Sequence, residues 1–113
     1  MKRLRDVLEQ GDLKGFAALL APDVVWVGVA PGQLCRNRDE VLAIVRRALD
    51  AGRAASPEIV AETDEALVVD PHVEPPPELN PELHQVFVVH DEVIVEMRDF
   101  PDRRSALRAM GLP

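Results

Sequence analysis

Close to residue 57 the hydrophobic period of this chain changes from that of a helix to that of a strand, and this order limits the folds open to it. Before the change, Leu4, Val7 and Leu8 recur at helical spacing until Gly11, which is suited to a left-handed cap. Asp12 is placed to N-cap a second helix with Phe16, Leu19 and Leu20 as its apolar stripe, closed by Pro22. One strand interrupts: residues 24–29, Val-Val-Trp-Val-Gly-Val, are β-branched or aromatic apart from one glycine, and Pro31-Gly32 then turns the chain. Asn37 and Glu40 have the spacing of a capping box. Behind them Val41, Leu42, Ile44, Val45, Ala48 and Leu49 give a long helix a wide apolar face, ending near Gly52.

After the change, residues 58–64, 66–73, 84–90 and 93–100 read as strands, the last two joined by a tight turn at Asp91-Glu92. The loop 74–81 cannot donate ladder hydrogen bonds from Pro75, Pro76, Pro77 and Pro81, so it is expected to stand outside the sheet as a stiff connection. Pro101-Asp102 opens a last helix at Arg103, with Ala106, Leu107 and Met110 inward and Gly111 as its cap. Helices first and strands later imply an α+β domain, and 113 residues suit one domain spanning 1–113.

Charge and cysteine content narrow the function classes. A net charge of −7 repels a phosphate backbone unless bases gather on one face. Arg46, Arg47, Arg103, Arg104 and Arg108 sit on predicted helices among acids, so a solvated helix face accounts for them and no nucleic-acid partner is expected. Cys35 is the only cysteine, which excludes an intrachain disulfide and favours a reducing compartment. The charged start, Met1-Lys2-Arg3-Leu4-Arg5-Asp6, leads into no apolar stretch long enough for a signal or a membrane span. A cytoplasmic protein without a membrane partner is the expectation.

Consecutive apolar residues in Val86-Phe87-Val88-Val89 and Val93-Ile94-Val95 require cover on both faces of the sheet. A few short helices cover one face, so a second copy of the chain is expected to pack on the other, making a homodimer through the outer sheet face.

The order and spacing of these pieces resemble a known family. Gly11-Asp12-Leu13, Ala17-Ala18-Leu19-Leu20-Ala21-Pro22-Asp23-Val24-Val25-Trp26 and Arg36-Asn37-Arg38-Asp39-Glu40-Val41 match at the front. At the back the match is Val86-Phe87-Val88-Val89-His90-Asp91-Glu92-Val93-Ile94 and Arg98-Asp99-Phe100-Pro101-Asp102-Arg103. Together they resemble the SnoaL-like branch of the nuclear transport factor 2-like superfamily. Glu92 stands where the family commonly has glycine, and the proline-rich loop is unusual. The resemblance implies a cystatin-like, curved antiparallel sheet wrapped over helices, a cone-shaped pocket between them, and frequent dimerisation through the opposite face. It implies no single reaction, so function has to be argued from the site.

Asp99 is the first candidate. Related hydrolases and cyclases place an acid facing the pocket at this point of the last strand, where burial would suit a carboxyl to proton transfer. The plainer alternative is a brace around Phe100-Pro101 or a partner for Arg98 or Arg103. His84 and His72 flank the loop, and strands pairing about its midpoint would bring the two rings opposite each other, with Asp70 or Glu74 nearby. Two polar residues at the sheet rim explain them more simply than a metal, and none is expected. His90, six residues beyond His84 and about 20 Å away at strand rise, cannot join them.

Trp26 offers a flat wall for an apolar ligand or is plain core. Cys35 precedes a helix N-terminus, which would lower its thiol slightly, but it lacks a basic neighbour in sequence. Two of the family's chemistries are not carried over: the ketosteroid isomerases hold an oxyanion with tyrosine and this chain has none, and strand 66–73 lacks the arginine that the epoxide hydrolases set between two acids.

The sequence thus points to a small-molecule-binding protein without a cofactor. Asp99 and His84 are the candidate catalytic groups, with Trp26, His72 and Asp70 lining the ligand. The chemistry would be of lyase, cyclase or isomerase type on a small apolar substrate. A noncatalytic, homodimeric accessory or interaction module is the alternative.

Overall fold

The computed structural model describes residues 1–29, 32–50, 57–71 and 82–112. The elements follow in the order α1 (Lys2–Gln10), α2 (Leu13–Leu19), β1 (Leu20–Val27), β2 (Leu34–Cys35), α3 (Arg38–Asp50), β3 (Glu58–Glu62), β4 (Ala66–Asp70), β5 (His84–His90), β6 (Val93–Phe100) and α4 (Arg103–Ala109). Most local signals act as read. Gly11 closes α1 in the left-handed region, φ 64°, with its N–H on the carbonyls of Leu8 and Val7. Asp12 caps α2 by accepting from the Gly15 N–H at 2.9 Å. At α3 one half of the capping box forms, Asn37 Oδ1 accepting from the Glu40 N–H at 2.9 Å, while Glu40 Oε1 reaches one residue past the cap to the Arg36 N–H at 2.7 Å.

Two expectations are corrected at the front of the sheet. Leu20 starts β1 instead of ending α2, and Pro22 lies inside that strand. The pairing of β1 with β6 breaks its register between Leu20 and Val25, so the missing N–H of Pro22 costs no ladder bond in the regular part. The two-residue strand β2, unread in the sequence, pairs antiparallel with β1, Trp26 opposite Cys35. The proline-rich loop 74–81 and the end of the long helix near Gly52 lie outside the described residues.

The six strands form one open sheet in the order β2-β1-β6-β5-β4-β3. Four pairings are antiparallel, as expected, while β1 runs parallel to β6 through the crossover of everything between them. Asp91 and Glu92 both take positive φ, 51° and 64°, which is the two-residue hairpin turn that matches strand twist.

Both faces of the sheet carry helices of the same chain. On the first, Leu67, Val69, Phe87, Val89, Ile94 and Met97 pack with Leu4, Val7, Phe16, Leu19 and Val41 of α1, α2 and α3. Phe16 meets Phe87 edge to face, with ring centroids 6.1 Å apart. On the second, Ala106 and Leu107 of α4, with Met110 just after it, seat on Ala66, Val68 and Val86. The last helix therefore supplies part of the cover that the sequence reading assigned to a second copy. Strand alternation explains the split: odd positions of β4 and β5 face the three helices and even positions face α4.

Candidate functional site

On the face covered by α1, α2 and α3, three strands bring three polar side chains together. Trp26 on β1 pairs with Met97 of the parallel neighbour β6, and Asp99 lies two residues further along β6 on the same face. The indole bridges that diagonal and donates from Nε1 to Asp99 Oδ1 at 2.7 Å. From the other side Gln85, directly across from Asp99 on β5, donates from Nε2 to the same oxygen at 3.1 Å. Both donors fall on Oδ1. Oδ2 has no hydrogen-bond partner among the described residues, yet no buried side-chain oxygen lacks one, so Oδ2 is reached by solvent.

Electrostatics suit this carboxyl to exchanging a proton. Burial is the largest influence on Asp99 and lifts its carboxyl above the ordinary value, while the hydrogen bonds from Trp26 and Gln85 oppose that rise. No positive charge is among the causes. Cys35 sits opposite Trp26 and is buried; burial first, then the charges of Glu40 and Asp99, push its thiol up. The lowering expected from the helix that follows is outweighed. A protonated thiol facing acids is a poor nucleophile.

The other proposed site residues lie elsewhere. His84 pairs with Phe100 and neighbours Gln85 in β5, so its ring points to the α4 face, away from Asp99. Asp99 and His84 therefore stand on opposite faces of the sheet and cannot act on one ligand side by side. Asp70 shares the face of His84, with Oδ2 3.9 Å from Nε2. The register that sets Val69 opposite Gln85 leads on to Asp70 across from His84. His72 itself lies outside the described residues. No group of three metal-ligating side chains occurs among the described residues.

Gln85 is the site residue that sequence reasoning missed. Its signal was a lone amide between His84 and an apolar run, but the partner could be found only from the register of β5 against β6.

Comparison with known proteins places the chain in a family. No curated protein matches the sequence closely enough to count as a relative. Several solved structures share the fold. A candidate SnoaL-like polyketide cyclase from Mesorhizobium loti is 16% identical, with 88% of this chain and 93% of that one covered and a TM-score of 0.60. A protein of ketosteroid isomerase-like fold from Catenulispora acidiphila, solved with trimethylamine, is 15% identical over 99% of this chain and 92% of that one, TM-score 0.56. An epoxide hydrolase of M. tuberculosis is 19% identical over 96% and 86%, TM-score 0.56. At these identities the likeness is one of fold. The sequence itself matches the SnoaL-like domain over residues 1–74, a stretch that holds Trp26 and Cys35 but stops before Gln85 and Asp99. With nearly two thirds of its length matched, and the sheet and helices of its structural neighbours, the chain belongs to the SnoaL-like domain family, within the nuclear transport factor 2-like superfamily.

Proposed function

We propose that the protein binds a small, mainly apolar molecule beside Asp99, on the face covered by α1, α2 and α3, and that Asp99 moves a proton on it. The observation that carries this reading is the asymmetry of the carboxyl: Oδ1 takes two donors, from Trp26 and Gln85, while Oδ2 is left to solvent or a ligand. A desolvated carboxyl with one oxygen pinned has its acidic hydrogen at the other, and it can donate that hydrogen or take one back. Lyase, cyclase or isomerase chemistry needs such a group, with Trp26 as the wall beside it. The family's known small-molecule chemistry, exemplified by the cyclase and epoxide hydrolase neighbours, supports the same class.

The reading includes a homodimer joined through the part of the outer face that α4 leaves open, where Val25 and Val27 flank Glu96 and Arg98. A free thiol at Cys35 fits a cytoplasmic setting. No described helix is long and apolar enough to cross a membrane.

One observation favours a second reading. The same three side chains tie β1, β5 and β6 together, so Asp99 could serve as a brace in a noncatalytic accessory module. Native mass spectrometry of protein purified from its host distinguishes the two. A dimer carrying a retained small molecule, lost in Asp99→Leu, supports the first reading. A ligand-free protein whose melting temperature responds to no member of a panel of apolar ketones, enones and lactones removes it.

A further inference from the structure

His84 is the one buried polar residue among those described, 5% exposed, and it faces away from the Asp99 site. Buried polar groups persist where the protein meets their hydrogen bonds. Nδ1 lies 2.6 Å from the carbonyl oxygen of Glu82, and a carbonyl can only accept. Nδ1 therefore carries hydrogen, and the neutral ring keeps its lone pair on Nε2. Arg103 donates from Nε to that lone pair at 3.4 Å. A guanidinium has no acceptor, so this bond exists only with the neutral ring. On its other side Nε2 faces Asp70 Oδ2 at 3.9 Å, a contact that strengthens only when the ring gains a proton.

The two partners belong to different parts of the fold. Arg103 is the first residue of α4, and Asp70 is the last of β4. We infer that His84 is a proton-operated latch on α4: neutral, it holds Arg103 and with it the first turn of the helix; protonated, it turns to Asp70 and lets Arg103 go. The proton comes from solvent through an open groove of about 520 Å³ lined by Asp70, Glu82, His84, Asp102, Arg103 and Arg104.

The charged groups that face the ring across this groove are Asp70 from β4, Glu82 just before β5, and Asp102, Arg103 and Arg104 at the head of α4. Asp102 stays ionised through the exchange, since the backbone N–H of Ser105, and next its hydroxyl, hold that carboxyl below its ordinary value. Release is confined to the first turn, because Ala106, Leu107 and Met110 remain seated on Ala66, Val68 and Val86.

Nitrogen NMR of the imidazole together with amide hydrogen exchange tests the latch over roughly pH 5 to 8, where histidines ordinarily titrate. The neutral ring is expected as the Nδ1–H tautomer. As it charges, protection of the Ser105 and Ala106 amides, which the first turn holds on Asp102, should fall about tenfold relative to those of β5 after correction for intrinsic rates. Arg103→Met, a change at an exposed position, should keep the tautomer and abolish the pH dependence of α4. A neutral ring protonated at Nε2, protection of α4 that does not follow the titration, or a pH dependence that survives Arg103→Met would each overturn the proposal.

Discussion

Trp26 and Asp99 stand 73 residues apart in the chain and share a hydrogen bond of 2.7 Å. The bond crosses the one parallel pairing of the sheet, between β1 and β6, which lies beside the antiparallel hairpin of β5 and β6. Neither strand by itself specifies that neighbour. The indole and the carboxylate make a polar contact at the junction of the early and late halves of the chain, and Gln85 extends it to β5. The candidate site and the topology of the sheet thus depend on the same three side chains.

Asp99→Asn separates charge from hydrogen bonding. Asparagine keeps an acceptor oxygen for Trp26 and Gln85 but has no charge to desolvate. Because burial raises the folded-state value of Asp99, the native state holds more protons than the unfolded chain between about pH 4, the unfolded value, and that raised value. The stability contributed by Asp99 is therefore fully present below about pH 4 and is lost as pH rises through the folded value. At pH 7 Asp99→Asn is expected to stabilise the fold, an advantage that vanishes near pH 4. Urea unfolding at the two pH values measures it. Equal destabilisation at both would mean that the carboxylate is a structural brace.

Gln85→Leu removes one donor and keeps the volume. With a single hydrogen bond opposing burial, the carboxyl of Asp99 should titrate still higher, and the fold should lose about 1 kcal/mol, a typical worth for a side-chain hydrogen bond. Carbon NMR of the Asp99 carboxyl across pH 3 to 8 reads the first effect directly. An unchanged titration would show that the amide does not reach Oδ1 in solution.

The same strand pair shows how far the sequence could be read. Residues 84–90 and 93–100, the tight turn between them and the helix from Arg103 all follow from alternation, turn chemistry and capping. The site does not. A two-residue turn at Asp91-Glu92 carried through without irregularity would set Asp99 across from His84, on one face. The ladder instead keeps Val89 opposite Ile94 but sets Val88 opposite Glu96, so Val95 is the extra residue of a bulge. That single residue moves Asp99 across from Gln85 and sends His84 to the other face. Bulges carry little signal in a run of valines, because every position suits either face. The parallel β1–β6 pair was equally hidden, since its determinant is a contact between the two ends of the chain.

Gly15→Ala tests a close approach that reverses the usual rule. Inside a helix alanine ordinarily gains about 0.5–1 kcal/mol over glycine. Here an added Cβ would run into the carboxyl group of Asp12 and come within 3.0 Å of Val7 Cγ2. The carboxyl is the cap of α2, held by the Gly15 N–H, and Val7 is a buried anchor of α1. Displacing the cap costs about 1 kcal/mol and crowding a packed contact about 1–3 kcal/mol, which together exceed the propensity gain. The variant should lose about 1–3 kcal/mol in urea unfolding, by the balance of these terms. The cause can be isolated in a cycle with Asp12→Ala, where the obstructing carboxyl is already gone. In that background the same glycine change should cost clearly less than in the parent protein; equal costs would put the obstruction at Val7 alone.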